Sequence, residues 1–339
     1  MIWASAEGCR VTLADGRELL DLTGGFGVAA LGHRNPRIVE AWHSQPVVHA
    51  LGDLADAEVT VRLRTALPWP AKLGVTGEDA VEIALRTARL ATGRNGIAAF
   101  EGAYHGTGLL ALAATDFPHF KEPWRDWLPG PVRRFAYGED PGELPPDTAC
   151  VVVEPVQGRA GARVPPDGFL TTLRARCDDA GALLVVDAIY TGLGRIGALW
   201  PGAEVADVIC VGKALGGGLP LSAALFVRDG LAKLWELGPE DVYTHTHVGN
   251  PLACAAALVV LEEVPTLLPR GHELGEQFAA AGWHGKGLLR AKAGSADDAL
   301  ARGVLVVPAG DGGLIQATPP LTLSDDELRD ALNRLAASD

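Results

Sequence analysis

The sequence has no run of basic residues, and its 29 lysines and arginines are outnumbered by 42 aspartates and glutamates, which gives a net charge of −13. An acidic chain without a basic patch is poorly suited to bind nucleic acid or an anionic membrane surface, so we expect neither partner. No apolar run approaches the length that spans a bilayer, and the first ten residues contain no basic leader followed by an apolar stretch. We therefore expect a soluble, cytoplasmic protein.

Cysteine is also sparse, since the chain has 5 and no two of them form a C-x-x-C pair. They are scattered and lie mostly in apolar runs, which favours reduced, buried thiols over disulfides and agrees with a cytosolic protein. His245 and His247 lie two positions apart, but no third ligand is nearby, so we expect no metal site. These absences leave open an anionic small-molecule ligand, which local dipoles can hold in an acidic protein.

What the sequence does contain is apolar residues, 48% of 339, enough to bury the core of one large domain and a smaller one. Apolar runs that predict buried strands alternate with segments that predict helices, with strands at 97–100, 151–153, 183–186 and 205–211 and helices at 79–92 and 169–180. This alternation predicts an α/β fold with a doubly wound, mostly parallel sheet.

The two ends of the chain differ from this central part. Residues 10–21 alternate in polarity around Asp15-Gly16, a strong hairpin signal. Short strands at 288–291, 304–307 and 314–317, followed by a helix at 325–335, predict a compact α+β unit at the C-terminus. A long helix from Pro251 to about Val264 should lead toward that unit. We predict an N-terminal hairpin segment, 1–35, that is part of the small domain, a large domain, 36–264, and a C-terminal small α+β domain, 265–339.

Two of the predicted strands end in a single charged residue. Asp187 follows the run 183–186, and Lys213 follows the run 205–211 and precedes Ala-Leu-Gly-Gly-Gly. Parallel strands deliver such residues to the carboxyl edge of the sheet, where open α/β folds have their sites. Burial there would lower the pKa of the lysine and make its amine a usable nucleophile. On spacing alone, a buried ion pair or two unrelated charges account for the pattern equally well.

The segment that holds both residues resembles the cofactor core of the class III (omega) aminotransferases, pyridoxal-phosphate enzymes of fold type I. The family pattern, Asp-Glu-Val-Gln-Thr-Gly-Phe-Gly-Arg-Thr-Gly and then Gly-Lys-Ala-Leu-Gly-Gly-Gly, is matched at Asp187–Gly197 and Gly212–Gly218. Further matches are EGAYHG at 101–106, EPVQG at 154–158 and TGEDAVE, a variant of the family's phosphate cup, at 76–82. The resemblance implies a large domain with a mostly parallel, seven-stranded sheet flanked by helices, and a small α+β domain.

The resemblance implies pyridoxal 5′-phosphate as the cofactor, joined to Lys213 as a Schiff base (aldimine), with Lys213 then moving a proton between substrate and cofactor. Asp187 would keep the ring nitrogen of the cofactor protonated, while Tyr104 and Ile189 would lie on opposite faces of the ring. Tyr190 would lie near the ring's 3-oxygen. The other cofactor-binding residues that the match implies are Thr76, Gly77, Glu78, His105 and Glu154, together with Thr246, which would reach the phosphate of a neighbouring subunit. A homodimer with shared active sites is therefore implied.

Glu78 departs from the family pattern, which usually has a small or hydroxyl residue at this position. A carboxylate that faces a phosphate is repelled by it, and the repulsion grows as water is excluded. We therefore expect only the backbone N–H of Glu78 to meet the phosphate while the side chain turns to solvent. On this interpretation, a serine at position 78 should bind the cofactor at least as well.

The arginines with which many family members bind a substrate carboxylate are missing. Thr107 occupies the position of the arginine that often follows YHG, and Gln316 occupies the position of the arginine that clamps the carboxylate. Arg159 replaces a glutamate that pairs with that clamping arginine in some members. One hypothesis is that Arg159, helped by Gln316, anchors an anionic group of the substrate. The other is that Arg159 faces solvent and the substrate is a neutral amine, amino sugar or aldehyde. The candidate substrate-binding residues are Arg159, Gln316, Thr107 and Tyr104.

The function that the resemblance implies is transfer of an amino group between a primary amine or amino acid and a keto or aldehyde acceptor, by a ping-pong mechanism through the Lys213 aldimine. The partners would then be small amine and keto compounds. Two alternatives stay open from the sequence. The same cofactor chemistry serves aminomutases, racemases and decarboxylases, and a non-catalytic descendant could bind the cofactor without turning over.

Overall fold

The computed structural model describes residues 1–52, 54–238 and 241–336. Its strands, in chain order, are β1 (Trp3–Glu7), β2 (Arg10–Leu13), β3 (Glu18–Asp21), β4 (Ala71–Gly74), β5 (Gly96–Phe100), β6 (Val132–Phe135), β7 (Thr148–Val153), β8 (Leu183–Asp187), β9 (Val208–Val211), β10 (Ser222–Phe226), β11 (His284–Lys286), β12 (Leu289–Ala293), β13 (Val304–Leu305), β14 (Val307–Ala309) and β15 (Leu314–Ala317). Its helices are α1 (Gly24–Gly27), α2 (Pro36–His43), α3 (Glu58–Ala66), α4 (Gly77–Thr92), α5 (Leu109–Ala114), α6 (Pro118–Lys121), α7 (Phe169–Ala180), α8 (Pro251–Ala280), α9 (Ala296–Ala301) and α10 (Asp325–Ala336). Shorter 3₁₀ turns lie at Glu122–Trp127, Lys213–Gly216 and Ala232–Trp235.

The centre of the molecule is a seven-stranded sheet with the order β4-β10-β9-β8-β7-β5-β6. Strand β10 runs antiparallel to both of its neighbours, and the other pairs are parallel. Strands β7, β8 and β9 are buried along their whole length, as continuous apolar runs covered on both faces should be. The predicted α/β fold with a mostly parallel, seven-stranded sheet is confirmed.

The ends of two strands differ from the prediction for reasons visible in their contacts. The run predicted as a strand from Val205 becomes β9 only at Val208, because the Asp207 carboxylate accepts a hydrogen bond from the Leu184 N–H and pairs with Arg174 at 2.7 Å. The predicted strand at 304–307 is divided into β13 and β14. Each half pairs in a different sheet, β13 with β3 and β14 with β15, so the chain has to pass between the sheets there.

Two four-stranded sheets lie outside the central one, with the orders β1-β2-β3-β13 and β11-β12-β15-β14. Strands β2 and β3 form the predicted hairpin around Asp15-Gly16, with Arg10 opposite Leu20. Strand β13, from near the C-terminus, then adds to β3 in parallel, so the N-terminal hairpin shares a sheet with the C-terminal part of the chain. The domain boundaries given above stay a prediction.

Helix α8 is longer than predicted, since it continues past Val264 to Ala280 with two prolines inside it. Gly271, Leu274 and Phe278 are buried beyond those prolines, so packing outweighs the local preference for a break. By length and composition alone, α8 could cross a membrane, which corrects the expectation that no apolar run approaches that length. It is a core helix of this fold, with buried residues along its length and ion pairs from Glu262 and Glu263 to Arg37.

Candidate active site

A cavity of about 490 Å³ lies at the carboxyl edge of the central sheet, where β7, β8 and β9 end. These strands deliver Glu154, Asp187 and Lys213 to it, as parallel strands do with the residues that follow them. The cavity also receives residues from the start of α4, from the segment after β5 and from the C-terminal strands. Its lining is Phe26, Thr76, Gly77, Glu78, Tyr104, His105, Gly106, Glu154, Arg159, Asp187, Ile189, Tyr190, Lys213, Val307, Pro308 and Gln316.

Asp187 is a buried carboxylate held from two sides. Its Oδ2 lies 2.8 Å from Nδ1 of His105, and its Oδ1 accepts a hydrogen bond from the Ile189 N–H at 3.1 Å. The other ring nitrogen of His105, Nε2, is buried without a partner among the described residues. Both contacts fix the direction of the carboxylate toward the cavity, which it lines.

Lys213 follows β9 in a backbone conformation with φ of +43°, which residues other than glycine rarely adopt. This backbone places its Nζ 3.9 Å from the centre of the Tyr190 ring. Burial lowers the pKa of the Lys213 amine to about 8, against the opposing attraction of Asp187 and Glu154. Lys213 and Asp187 line one cavity without lying within ion-pair distance of each other, so the pattern of strand-end charges is not a buried salt bridge.

Glu154 lies beside this pair. Its carboxyl oxygens accept hydrogen bonds from the N–H groups of Tyr104, at 3.0 Å, and Gly158, at 3.2 Å. Burial, reinforced by the nearby Asp187 charge, raises the pKa of Glu154 to about 7, although His105 opposes the shift. Near neutral pH the cavity can therefore gain or lose one negative charge at Glu154.

Tyr190 is held edge-on between two glycines. A Cβ on Gly27 would lie 2.9 Å from Cε2 of the ring, and a Cβ on Gly158 would overlap its other edge, so only glycine fits at either position. The Tyr190 hydroxyl oxygen accepts a hydrogen bond from Gln316 Nε2 at 2.7 Å and lies 3.3 Å from Thr318 Oγ1. These neighbours hold the Tyr190 hydroxyl in place, and the ring of Tyr190 faces the Lys213 amine.

The expectation that the side chain of Glu78 turns to solvent is wrong. Its Oε2 accepts three hydrogen bonds, from the Thr107 N–H at 2.8 Å, the Thr107 hydroxyl at 3.1 Å and the Gly108 N–H at 2.8 Å. Gly106, at φ of +120°, leaves room for this approach, since a Cβ there would lie 2.6 Å from Cβ of Glu78. Glu78 therefore fastens the segment before α5 to the first turn of α4.

Replacing Glu78 should loosen that attachment. We expect Glu78→Ala to lower Tm by about 1–4 °C, because three donors lose an acceptor worth about 1–2 kcal/mol when partly exposed. Thermal unfolding of the apoenzyme followed by circular dichroism measures the change. Glu204→Ala, at an exposed glutamate, is the matched control and should unfold within about 1 °C of the unmodified protein. Equal Tm values for the two variants would contradict this role.

Three of the predicted site residues need separate mention. Arg159 lines the cavity with its guanidinium over the Tyr104 ring, 4.8 Å from the ring centre. Thr107 is exposed and contacts Glu78, outside the residues that line the cavity. Thr246 is also exposed and lies outside the lining of the cavity in the described part of this single chain.

The structure adds residues to the site that the sequence did not single out. Phe26 lies at the cavity with φ of +60°, and Val307 and Pro308 reach it from β14. Arg195 lies behind Tyr190 and is buried without a carboxylate partner among the described residues. It donates to the carbonyl oxygens of Pro319, at 2.5 Å, and Leu288, at 3.3 Å, and burial lowers its pKa to about 10. Of these residues, only Arg195 belongs to a motif that the sequence matches, the one at Asp187–Gly197.

The residues of this cavity fit pyridoxal phosphate. An amine of lowered pKa and a buried carboxylate line one cavity, as attachment of the aldehyde and pairing with the ring nitrogen require. The N–H groups of Gly77 and Glu78 begin α4 at the same cavity, and no acceptor among the described residues takes them. The free N-terminus of this sixteen-residue helix suits a phosphate.

Comparison with known proteins supports the same cofactor. The family model Aminotransferase class-III matches residues 1–282. The acetylornithine aminotransferase of Methanopyrus kandleri is 36% identical over 364 aligned positions, which cover 97% of this chain and 92% of that protein. The putrescine aminotransferase of Pectobacterium atrosepticum is 35% identical over 285 positions, 75% of this chain and 59% of that protein.

Solved structures agree in fold. The ornithine aminotransferase of Toxoplasma gondii superposes with a TM-score of 0.89 at 26% identity, covering 98% of this chain and 89% of that one. An amine transaminase from an uncultivated Pseudomonas species, in its PLP-bound form, also gives a TM-score of 0.89 at 26% identity, covering 99% of this chain and 93% of that one. The predicted fold type I and the predicted cofactor, pyridoxal phosphate, are confirmed. This chain belongs to the class III aminotransferase family.

Proposed function

We propose that the enzyme carries out amino transfer in the cavity at Lys213 and Asp187, between a primary amine or amino acid and a keto or aldehyde acceptor, in two half-reactions. The observation that carries this proposal is the shared cavity of a lysine with lowered pKa and a buried, oriented carboxylate. The relatives are named for acetylornithine, ornithine and putrescine, so we propose a donor with its primary amine on a short aliphatic chain.

Each residue then has a definite task. When bound, pyridoxal phosphate supplies the electron sink that stabilises negative charge at the substrate carbon beside the amine. Lys213 would hold the cofactor through its ε-amine and, once the substrate amine has taken its place, would take the proton from that carbon and deliver it to the carbon of the cofactor that carried the aldehyde. Asp187 would keep the ring nitrogen protonated through its buried negative charge. Gly77 and Glu78 would donate their backbone N–H groups to the phosphate, and Ile189 would limit the space beside the ring.

The stoichiometry of a single half-reaction tests amino transfer directly. A donor amine added to the holoenzyme without an acceptor should release one equivalent of its carbonyl product per active site and then stop. Adding a keto acid should restart the release. A decarboxylase would instead give carbon dioxide, and a racemase or aminomutase would turn over continuously without an acceptor, so either result would contradict amino transfer.

The lowered pKa of Lys213, about 8, predicts how cofactor uptake depends on pH. Only the neutral amine attacks a carbonyl carbon, so the uptake rate should rise about tenfold per pH unit below about pH 8 and level off above it. An ordinary lysine, with a pKa of about 10.4, would still gain rate at about pH 10. Mixing apoenzyme with pyridoxal phosphate and following the absorbance across this range measures the profile. A rate that keeps rising to about pH 10 would contradict the shift.

We also propose a cytoplasmic homodimer in which Thr246 serves the neighbouring subunit's cofactor. Support comes from the apolar side chains of Val48, Leu51 and Leu54, each about two-thirds exposed, beside the Thr246 segment. The five cysteines are all free and buried, which agrees with a reducing compartment.

The homodimer makes two measurable predictions. Light scattering should give twice the mass of the 35.4 kDa chain, and Thr246→Ala should weaken binding of the cofactor about tenfold, because its phosphate loses one contact. A monomer with full affinity for the cofactor would contradict this.

A further inference from the structure

Arg159 has an unusual environment for a cation that lines the cavity. Its guanidinium lies 4.8 Å from the centre of the Tyr104 ring, 4.9 Å from that of Phe120 and 5.7 Å from that of Phe117. Phe117 and Phe120 belong to the segment at α6, which therefore packs against two residues that line the cavity, Tyr104 and Arg159. Within the described part of the chain, no carboxylate lies within ion-pair distance of Arg159, and no acceptor takes a hydrogen bond from its side chain.

The aromatic contacts orient the guanidinium without using its donors. Rings attract the face of the planar cation, while its N–H groups point outward in the plane and match the two oxygens of a carboxylate. The cavity's own carboxylates are already engaged: Asp187 with His105, Glu154 with two backbone N–H groups, and Glu78 with the segment at Thr107. None of these acids is a counterion for Arg159, which keeps its donors available to a ligand.

Gln316 supplies a second, independent observation. Its side chain is 2% exposed, yet the amide contacts Tyr190 at one end only and its Oε1 has no partner in the described residues. Since the two ends of an amide are assigned from their hydrogen bonds, turning it by half a rotation would bond Oε1 to the Tyr190 hydroxyl and leave an N–H free. Either way, a buried amide that lines the same cavity as Arg159 lacks one partner.

We propose that Arg159, with Gln316, binds a carboxylate of the substrate in this cavity. The proposal rests on the amino transfer proposed above and names its substrate class: amino acids and keto acids, rather than neutral amines, amino sugars or aldehydes. A planar, two-oxygen anion suits the fork of donors on Arg159 and can accept one more hydrogen bond from the Gln316 amide. Arg159 follows β7 and Gln316 lies on β15, so the two donors come to the cavity from different elements.

The electrostatics agree with this placement. Burial is the main cause of the lowered pKa of the Lys213 amine, and the positive charge of Arg159 adds to it. Arg159 therefore lies within electrostatic reach of the reacting amine. A bound carboxylate would neutralise that charge and would remove the repulsion between the two cations.

Donor pairs that differ only in charge test the proposal. We would measure kcat/KM for straight-chain ω-amino acids of three to six carbons and for the primary amide of each. The unmodified enzyme should prefer the best acid to its amide at least about tenfold, and Arg159→Ala should lower that acid-to-amide ratio about 10- to 100-fold. Arg159→Lys keeps the charge but loses the fork and the stacking, so its acid-to-amide ratio should lie between those of the unmodified enzyme and Arg159→Ala. Arg133→Ala, at an exposed arginine on β6, is the control and should keep the ratio.

Binding without chemistry provides a second readout. Succinate, glutarate and adipate carry no amine, so titration calorimetry with the holoenzyme measures the anion site alone. At least one should bind, more tightly than its diamide, and Arg159→Ala should weaken it about 10- to 100-fold while Gln316→Leu weakens it less. Equal kcat/KM or equal affinity for acids and their amides in the unmodified enzyme would overturn the proposal and leave amino transfer intact. The same holds if Arg159→Ala lowers these values equally for acids and amides. Anion binding without any carbonyl release would instead contradict amino transfer alone.

Discussion

Replacing Lys213 with alanine should abolish steady-state amino transfer. The variant loses the amine that holds the cofactor and the base that moves the substrate proton, and one positioned base alone accounts for about 10²- to 10⁴-fold in rate. No second lysine lines the cavity within the described residues, so we expect no substitute. The measurement is kcat with the best donor of the unmodified enzyme, at saturating cofactor.

Lys213→Arg is the matched control for this prediction, because it keeps the positive charge near Tyr190 but is not a usable nucleophile. It should be as inactive as Lys213→Ala, while both variants keep the α/β circular dichroism spectrum. Added small amines should restore part of the proton transfer in Lys213→Ala, where space has been made, and none in Lys213→Arg. Activity in Lys213→Ala within about tenfold of the unmodified enzyme would show that the lysine is not the acting base.

Replacing Asp187 with asparagine should have the second largest effect. The amide keeps the shape of the carboxylate and its contact with the Ile189 N–H, but it removes the charge that keeps the ring nitrogen protonated. Losing one partner of a buried charge pair costs about 2–5 kcal/mol, so kcat/KM should fall about 30- to 4,000-fold. The loss should appear mainly in kcat, since the attachment at Lys213 and the phosphate contacts remain.

A second buried aspartate separates this effect from lost stability. Asp207 is 5% exposed, pairs with Arg174 and lies at the start of β9, the opposite end from the cavity. Asp207→Asn should lower Tm because it leaves Arg174 without its buried partner, and the folded enzyme should keep its kcat. If Asp187→Asn behaved like Asp207→Asn, with a lower Tm and an unchanged kcat, Asp187 would be a structural residue only.

The central sheet and the core of the site could be predicted because short sequence patterns determine them. Continuous apolar runs predict strands buried on both faces, and a lone charge after such a run lies at the carboxyl edge. Asp187 and Lys213 follow this rule, and the structure brings both to one cavity with Tyr104, His105 and Ile189. The spacing could not say whether the two charges pair, because that depends on the strained backbone at Lys213.

Other features depend on contacts between residues far apart in sequence. Glu78 bonds to Thr107 and Gly108, and no local pattern predicted that a carboxylate at a phosphate site would turn toward those donors. Likewise, Phe117 and Phe120 contact Arg159, which lies about forty positions further along the chain, and no local pattern predicted that contact. Helix α8 continues past two prolines because its second half is buried, which the local sequence disfavours.

The central claim is that the ε-amine of residue 213 holds the cofactor, and covalent trapping tests it most directly. Enzyme loaded with pyridoxal phosphate is reduced with borohydride, digested and examined by peptide mass spectrometry. We expect one pyridoxyl group per chain, on the peptide that contains Lys213, and none after reduction of Lys213→Ala. A pyridoxyl group on any other lysine, or no stable adduct in the unmodified enzyme, would contradict the assignment.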